Sequence, residues 1–287
     1  MRIAHVTGGT IGLGHLTAAE AIRRGLARAG LQGEFRLFGP ASDFASARLD
    51  YFTPVPITME QLADPFAAEE SELAKQLDTY KPDLILGETH WAPLLYLLER
   101  PGCQAWFLTR KVPDFWFTGT EDVPFRADLW DRIISFEPQF DHPVCTDHLE
   151  PIVVCNRDEL QPAGSLRRRW DVPEGKRLVV VAQAGEPGEV DAIAAQAGPD
   201  AHVVRVDGRS ADHPFPLAEW LTDADLIFAG AGFNAYWESK WLGWFERTRF
   251  TAFARPIDDQ AWRLRECAGY QPGENGADRL AQWILQG

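Results

Sequence analysis

The sequence predicts an α/β protein built as two successive domains, each a parallel sheet with helices packed on it. Three observations carry that expectation. Short apolar runs alternate with amphipathic helical stretches from one end of the chain to the other, the pattern that yields a parallel sheet. Two of the apolar runs lead straight into glycine-rich turns that open helices, at Gly8-Gly9-Thr10-Ile11-Gly12-Leu13-Gly14-His15 and again at Gly230-Ala231-Gly232. A crossing rich in proline, glycine and charge lies at mid-chain, and 287 residues suffice for two domains of about 100–150 residues, each with its own core.

In chain order, Ile3 to Thr7 reads as a strand, followed by the first glycine loop and a helix from Leu16 to Ala29 that Gly30 ends. Glu34 to Phe38 and Phe52 to Ile57 are further strands, Met59 to Tyr80 contains a long amphipathic helix, and Asp83 to Gly87 is a buried strand. Gln104 to Thr109, Arg132 to Phe136 and Pro151 to Cys155 complete the first domain, which spans residues 1–156. Residues 157–176, with Pro162, Gly164, Pro173 and Gly175, form the linker. In the second domain, residues 177–287, Arg177 to Gln183 and Ala201 to Val206 are strands and Leu217 to Leu221 is a short helical piece. Leu226 to Ala229 is a buried strand, Asn234 opens a helix, and Phe250 to Ala254 is the last strand.

Composition narrows the function. Hydrophobic residues make up 45% of the chain, which excludes a disordered protein. The formal net charge of −14 argues against nucleic acid as a partner, and the densest basic run, Arg167-Arg168-Arg169, reads as a solvated helix end. The four cysteines show no Cys-x-x-Cys spacing and nothing resembles a secretory signal, so a reducing cytoplasm is expected. No apolar run approaches the ~18–20 residues that span a bilayer. Peripheral membrane contact stays open.

The stretch from Leu226 to Gln260 has the makings of a ligand site. N–H groups left free at a helix start carry partial positive charge and suit a phosphate, and glycines let the backbone approach it. Glu238 lies one helical turn beyond Asn234 on the same face, where a carboxylate can accept hydrogen bonds from two adjacent sugar hydroxyls. Arg255, Asp258, Asp259 and Gln260 follow the next strand, at the sheet edge where open α/β folds bind ligands.

This combination resembles the donor-binding half of the B-fold glycosyltransferases, the two-domain superfamily that includes the lipid-linked N-acetylglucosaminyl transferase of peptidoglycan synthesis. The resemblance implies two Rossmann-like domains facing across a cleft, acceptor in the first and nucleotide sugar, such as a UDP-sugar, in the second. It places Gly230, Gly232 and Asn234 at the diphosphate, Glu238 at the ribose, and Asp259 with Gln260 at the donor sugar. Gly12 and Gly14 of the first loop, with Gly185 and Arg255, complete the expected substrate contacts. The implied acceptor is an unidentified hydroxyl compound, lipid-linked or a small metabolite. No cofactor and no metal are required, the nucleotide-diphosphate sugar being a substrate.

The first loop resembles the acceptor-domain loop of the same superfamily, which often ends in Gly-His. His15 closes it at a helix start, where the dipole favours a neutral ring that can take a proton from the attacking hydroxyl of an inverting transfer. Capping the helix is the other role open to His15. Glu88 and His90, past the strand ending at Gly87, would share that sheet edge, and either could orient His15 or replace it as base. Asp223-Ala224-Asp225 has the Asp-x-Asp form of a diphosphate-metal site but reads as the lead-in to a strand. His142, Cys145 and His148 have ligand-like spacing without a fourth ligand. Trp237, Trp241 and Trp244 recur at helical spacing and read as a core face, whereas Phe115-Trp116-Phe117 reads as an acceptor platform, a lipid contact or a loop anchor.

Two other readings stay open. Thr7 to Gly14 also looks like the dinucleotide fingerprint of short-chain dehydrogenases, with Tyr236 and Lys240 as a late Tyr-x-x-x-Lys pair. A non-catalytic nucleotide-sugar binder is the third. Ala231 in place of a usual glycine and Trp244 to Arg249 in place of a compact Gly-Val-Pro favour it.

Overall fold

The computed structural model describes the chain except residues 9–12, 57–63, 65–66, 68, 96, 99–101, 122, 187, 208–209, 211 and 287. The chain divides into two compact units: residues 1–10, 25–150 and 278–287 form one, and residues 11–24 and 151–277 the other.

The first unit holds seven parallel strands in the order β3-β2-β1-β4-β5-β6-β7, with β1 at Arg2–Thr7, β2 at Glu34–Gly39, β3 at Phe52–Pro54, β4 at Leu84–Glu88, β5 at Gln104–Thr109, β6 at Arg132–Ser135 and β7 at Asp147–His148. After Arg2, every residue of β1 is buried, as expected of a parallel sheet covered on both faces. Helix α1, Gly14–Arg28, follows β1 and stops before Gly30, whose φ of +81° is cheap only for glycine. Helix α2 covers Asp43–Arg48. Helix α3, Glu72–Tyr80, starts at Ser71, whose hydroxyl accepts from the Ala74 N–H, and buries Leu73, Ala74, Leu77 and Tyr80 on one stripe. The Tyr80 hydroxyl donates to the carbonyls of Ile3 and Glu34, and burial raises its pKa. The residues expected to open a longer helix, from Met59, lie outside the described residues or short of its start.

The second unit contains helix α4 (Ser165–Arg169), β8 (Leu178–Ala182), helix α5 (Glu189–Ala194), β9 (His202–Val206), β10 (Leu226–Gly230), helix α6 (Phe233–Leu242), β11 (Thr248–Thr251) and helix α7 (Gln260–Glu266). Its four strands run parallel in the order β11-β10-β8-β9. Val179, Val181 and Phe228 of the sheet cluster with Ile193 and Ala194 of α5. Helix α8, Gly276–Gln286, ends the chain.

Two sequence expectations are corrected. Pro151 to Cys155 is no strand: the side chain of the buried Asn275 accepts from the Val153 N–H and donates to the Val153 carbonyl, so an amide stands in for a neighbouring strand. The last strand lies at Thr248–Thr251 rather than Phe250 to Ala254, paired with Ile227–Gly230 of β10. Among the described residues no helix is long and apolar enough to cross a membrane.

In both sheets the strand order reverses direction once, between β1 and β4 and between β8 and β10. Loops leaving the carboxyl ends of those pairs diverge and open a crevice.

Candidate functional site

At the second switch point, β10 ends in Gly230, whose N–H donates to the side-chain oxygen of Gln183 at 3.1 Å. A Cβ on Gly230 would stand 2.4 Å from that oxygen, so a larger residue would push the Gln183 side chain aside. Ala231 donates its N–H to the Thr251 carbonyl and accepts at its own carbonyl from Arg263 Nη1 at 2.8 Å. Arg263 is fully buried and reaches with Nη2 to Asp258 Oδ1 at 2.7 Å, so one guanidinium joins the glycine turn to the start of α7. Helix α6 follows with Gly232 as its N-cap and no side-chain cap. The amides of its first turn lack intrahelical acceptors and carry the positive end of the helix dipole.

Asn234 directs its side-chain N–H to the Gly14 carbonyl at 2.8 Å. That bond ties the start of α6 to the start of α1, whose second residue is His15, itself buried. The two glycine-linked helix starts singled out in the sequence therefore meet within the second unit.

Glu238 lies one turn into α6. Its Oε1 is buried and meets no hydrogen-bond partner among the described residues. Loss of solvent is the cause that lifts its carboxyl to about 8. An unpaired buried carboxylate is costly, and such groups concentrate where a ligand completes the hydrogen bonding.

The other expected donor residues are engaged by neighbouring side chains and backbone. Gln260 is buried, accepts from the Phe253 N–H at 3.0 Å and donates to Asp258 at 3.2 Å. Asp259 is exposed and caps α7 through the Trp262 N–H at 2.9 Å. Arg255 donates to both oxygens of Glu189, at 2.7 and 2.6 Å, beside Gly185. Gly12 lies outside the described residues.

In the first unit, the β1/β4 edge carries Glu88, which is buried and faces His5 Nε2 at 3.3 Å. Thr89, also buried, has a φ of +61°, a strained value for a β-branched residue. Its carbonyl accepts from Trp116 Nε1 at 2.6 Å, and a Cβ on Gly8 would strike the His90 ring at 2.5 Å. Within Phe115-Trp116-Phe117, Phe117 stacks on His142 with ring centroids 4.3 Å apart and Phe115 is 62% exposed. Trp116 and Phe117 anchor the loop, leaving Phe115 outside.

Other sequence motifs resolve into structure. Asp223 accepts from the Gly164 and Leu166 N–H groups, and Asp225 accepts from the Leu178 N–H and from Arg167, so both carboxylates hold backbone and linker. Tyr236 is buried in the core, and Lys240 Nζ donates to the Ala268 and Tyr270 carbonyls. Burial lowers the Lys240 pKa. Trp237 and Trp244 are buried, as a core stripe requires. Sequence reasoning missed Gln183, Glu189 and Arg263.

Two Rossmann-like units, each a parallel sheet flanked by helices, define the glycosyltransferase B-fold. No protein-family model matches the chain, and no curated protein sequence matches it. Among solved structures the chain is similar to SsfS6, a glycosyltransferase of Streptomyces sp. SF2575, with 16% identity over 100% of this chain and 96% of that one at a TM-score of 0.57. It is similar also to the spinosyn rhamnosyltransferase SpnG, solved with thymidine diphosphate, with 14% identity over 100% and 95% of the two chains at a TM-score of 0.51. A protein of Listeria monocytogenes provisionally assigned as a UDP-N-acetylglucosamine 2-epimerase shares 12% identity over 100% and 87%, at a TM-score of 0.53. At these identities the similarity defines the fold.

Proposed function

We propose that the protein is a glycosyltransferase that moves a sugar from a nucleoside-diphosphate donor to an acceptor hydroxyl with inversion and without a metal. The observation that carries this reading is Glu238: a buried carboxylate oxygen without a partner, one turn beyond an uncapped helix start at the sheet's switch point. A ribose placed against α6 would give that carboxylate two hydroxyl donors, while the diphosphate met the first-turn amides.

The chemistry follows from these positions. The acceptor hydroxyl attacks the anomeric carbon, the bond to the diphosphate breaks, and the leaving group's growing negative charge is received by amides that need no reorganisation. His15, held beside this turn by the bond from Asn234 to Gly14, takes the acceptor's proton. Glu88, buried on His5, is the alternative base and would have to be uncovered to act. Asn234, Arg263 and Gln260 position the turn. The fold resemblance to SsfS6 and SpnG supports transfer, and SpnG was solved with a nucleoside diphosphate.

The fold resemblance to the epimerase candidate favours a second reading, in which the same nucleotide-sugar seat serves a rearrangement that needs no acceptor. Incubation with a panel of UDP- and dTDP-sugars separates the two. Transfer gives free nucleoside diphosphate in proportion to added acceptor, and His15→Ala lowers its rate with donor affinity retained. An isomeric nucleotide sugar without nucleotide release would contradict transfer.

A further inference from the structure

The loop leaving β8 is built around an anion. Glu189 sends Oε2 into a ring of donors: Gln183 Nε2 at 2.6 Å, the Glu186 N–H at 3.1 Å and Arg255 Nη2 at 2.6 Å, with a further contact from Nη2 to Oε1 at 2.7 Å. Three separate segments supply them: the end of β8, the loop before α5 and the loop after β11. All converge over Gly185, where a Cβ would stand 1.9 Å from Glu189 Oε2, 2.6 Å from Arg255 Nη2 and 2.6 Å from Gln183 Nε2. A guanidinium, a backbone N–H and a side-chain amide converging on one carboxylate are the donors that a tetrahedral oxyanion takes.

The place matters as much as the donors. β8 and β10 flank the switch point of the second sheet, and Gln183 binds both sides of it, taking the Gly230 N–H on its oxygen and giving its N–H to Glu189. The ring is thus contiguous with the glycine turn that leads into α6. Glu189 and Arg255 keep 12% and 19% of their side-chain surface exposed, so the carboxylate can leave without unpacking the core.

We propose that Gln183, the Glu186 N–H and Arg255 form an oxyanion seat for the donor's diphosphate, and that Glu189 fills it as an internal competitor until the donor displaces it. The proposal rests on the donor reading above and adds a specificity-determining residue to it. A competing side chain lowers apparent affinity by the fraction of time the seat is free. The penalty is the same for every ligand whose phosphate needs the seat and absent for one that does not reach it.

Titration calorimetry with UDP, dTDP, UMP and inorganic pyrophosphate tests it on the wild type and on Glu189→Gln, Glu189→Ala, Arg255→Ala and the Glu189→Ala/Arg255→Ala pair. Glu189→Gln keeps the size of the side chain, so a folding defect in Glu189→Ala is separable. We expect both Glu189 variants to bind the preferred nucleoside diphosphate and pyrophosphate at least fivefold more tightly. Arg255→Ala should bind at least tenfold more weakly, and the pair should gain nothing over Arg255→Ala. Unchanged or weaker diphosphate binding in both Glu189 variants overturns the competitor. A wild type that binds neither UDP nor dTDP, while Glu189→Gln gains pyrophosphate, overturns the donor reading and upholds the seat.

Discussion

At the scale of single residues, Glu238 makes the sharpest demands. An acid whose folded-state pKa is raised, here from 4.5 to about 8, costs nothing below its unfolded value and destabilises progressively as pH rises between the two. Stability should therefore fall from about pH 4.5 to about pH 8 on this group's account, and Glu238→Gln should flatten that part of the profile in urea titrations. Donor binding should run the other way. Two ribose hydroxyls need an acceptor-only carboxylate, so nucleoside-diphosphate affinity in the wild type should rise with pH through about 8, and Glu238→Gln should remove the dependence and weaken binding about tenfold. A binding profile flat in pH, or one untouched by the substitution, would take the ribose away from this residue. His15 demands something different: His15→Ala should lower turnover by about 10²–10⁴ while calorimetry finds donor affinity within a factor of about two, the signature of a lost proton acceptor.

At the scale of elements, the glycine turns and the helices that follow them were legible in the sequence because their cause is local. Glycine, a strand before it and an apolar period after it are all written within about twenty residues. The element ends were less legible. Pro151 to Cys155 has the composition of a buried strand, and the distant Asn275 and Gly276, which bond to Val153 and Pro151, take the place of a sheet partner. The roles of the site residues were the least legible part. Glu238 could be placed from its spacing to Asn234, whereas the engagement of Arg255 by Glu189 and of Gln260 by Phe253 joins segments far apart or folded back, which periodicity does not record. Asn275→Ala should cost about 1–3 kcal/mol by urea unfolding, since it strands both backbone groups of Val153 in the interior. A loss below about 0.5 kcal/mol would mean that water replaces the amide.

At the scale of the whole molecule, each sheet has a switch point, one for each substrate of the proposed transfer, and the net charge of −14 makes a local positive seat necessary for any anionic substrate. A nucleoside diphosphate at about 100 times its Kd should add about 2.7 kcal/mol to the unit that holds it, which raises Tm by about 5–11 °C if 150–250 residues unfold together. The most direct test is calorimetric titration of the wild type and Glu238→Gln with UDP and dTDP at pH 8.5. The prediction is saturable binding of at least one nucleoside diphosphate by the wild type and, for UDP, about tenfold weaker binding by the variant, dTDP lacking the 2′-hydroxyl that the carboxylate would take. No binding of either, or equal UDP affinity in both proteins, would contradict a nucleotide-sugar site on α6.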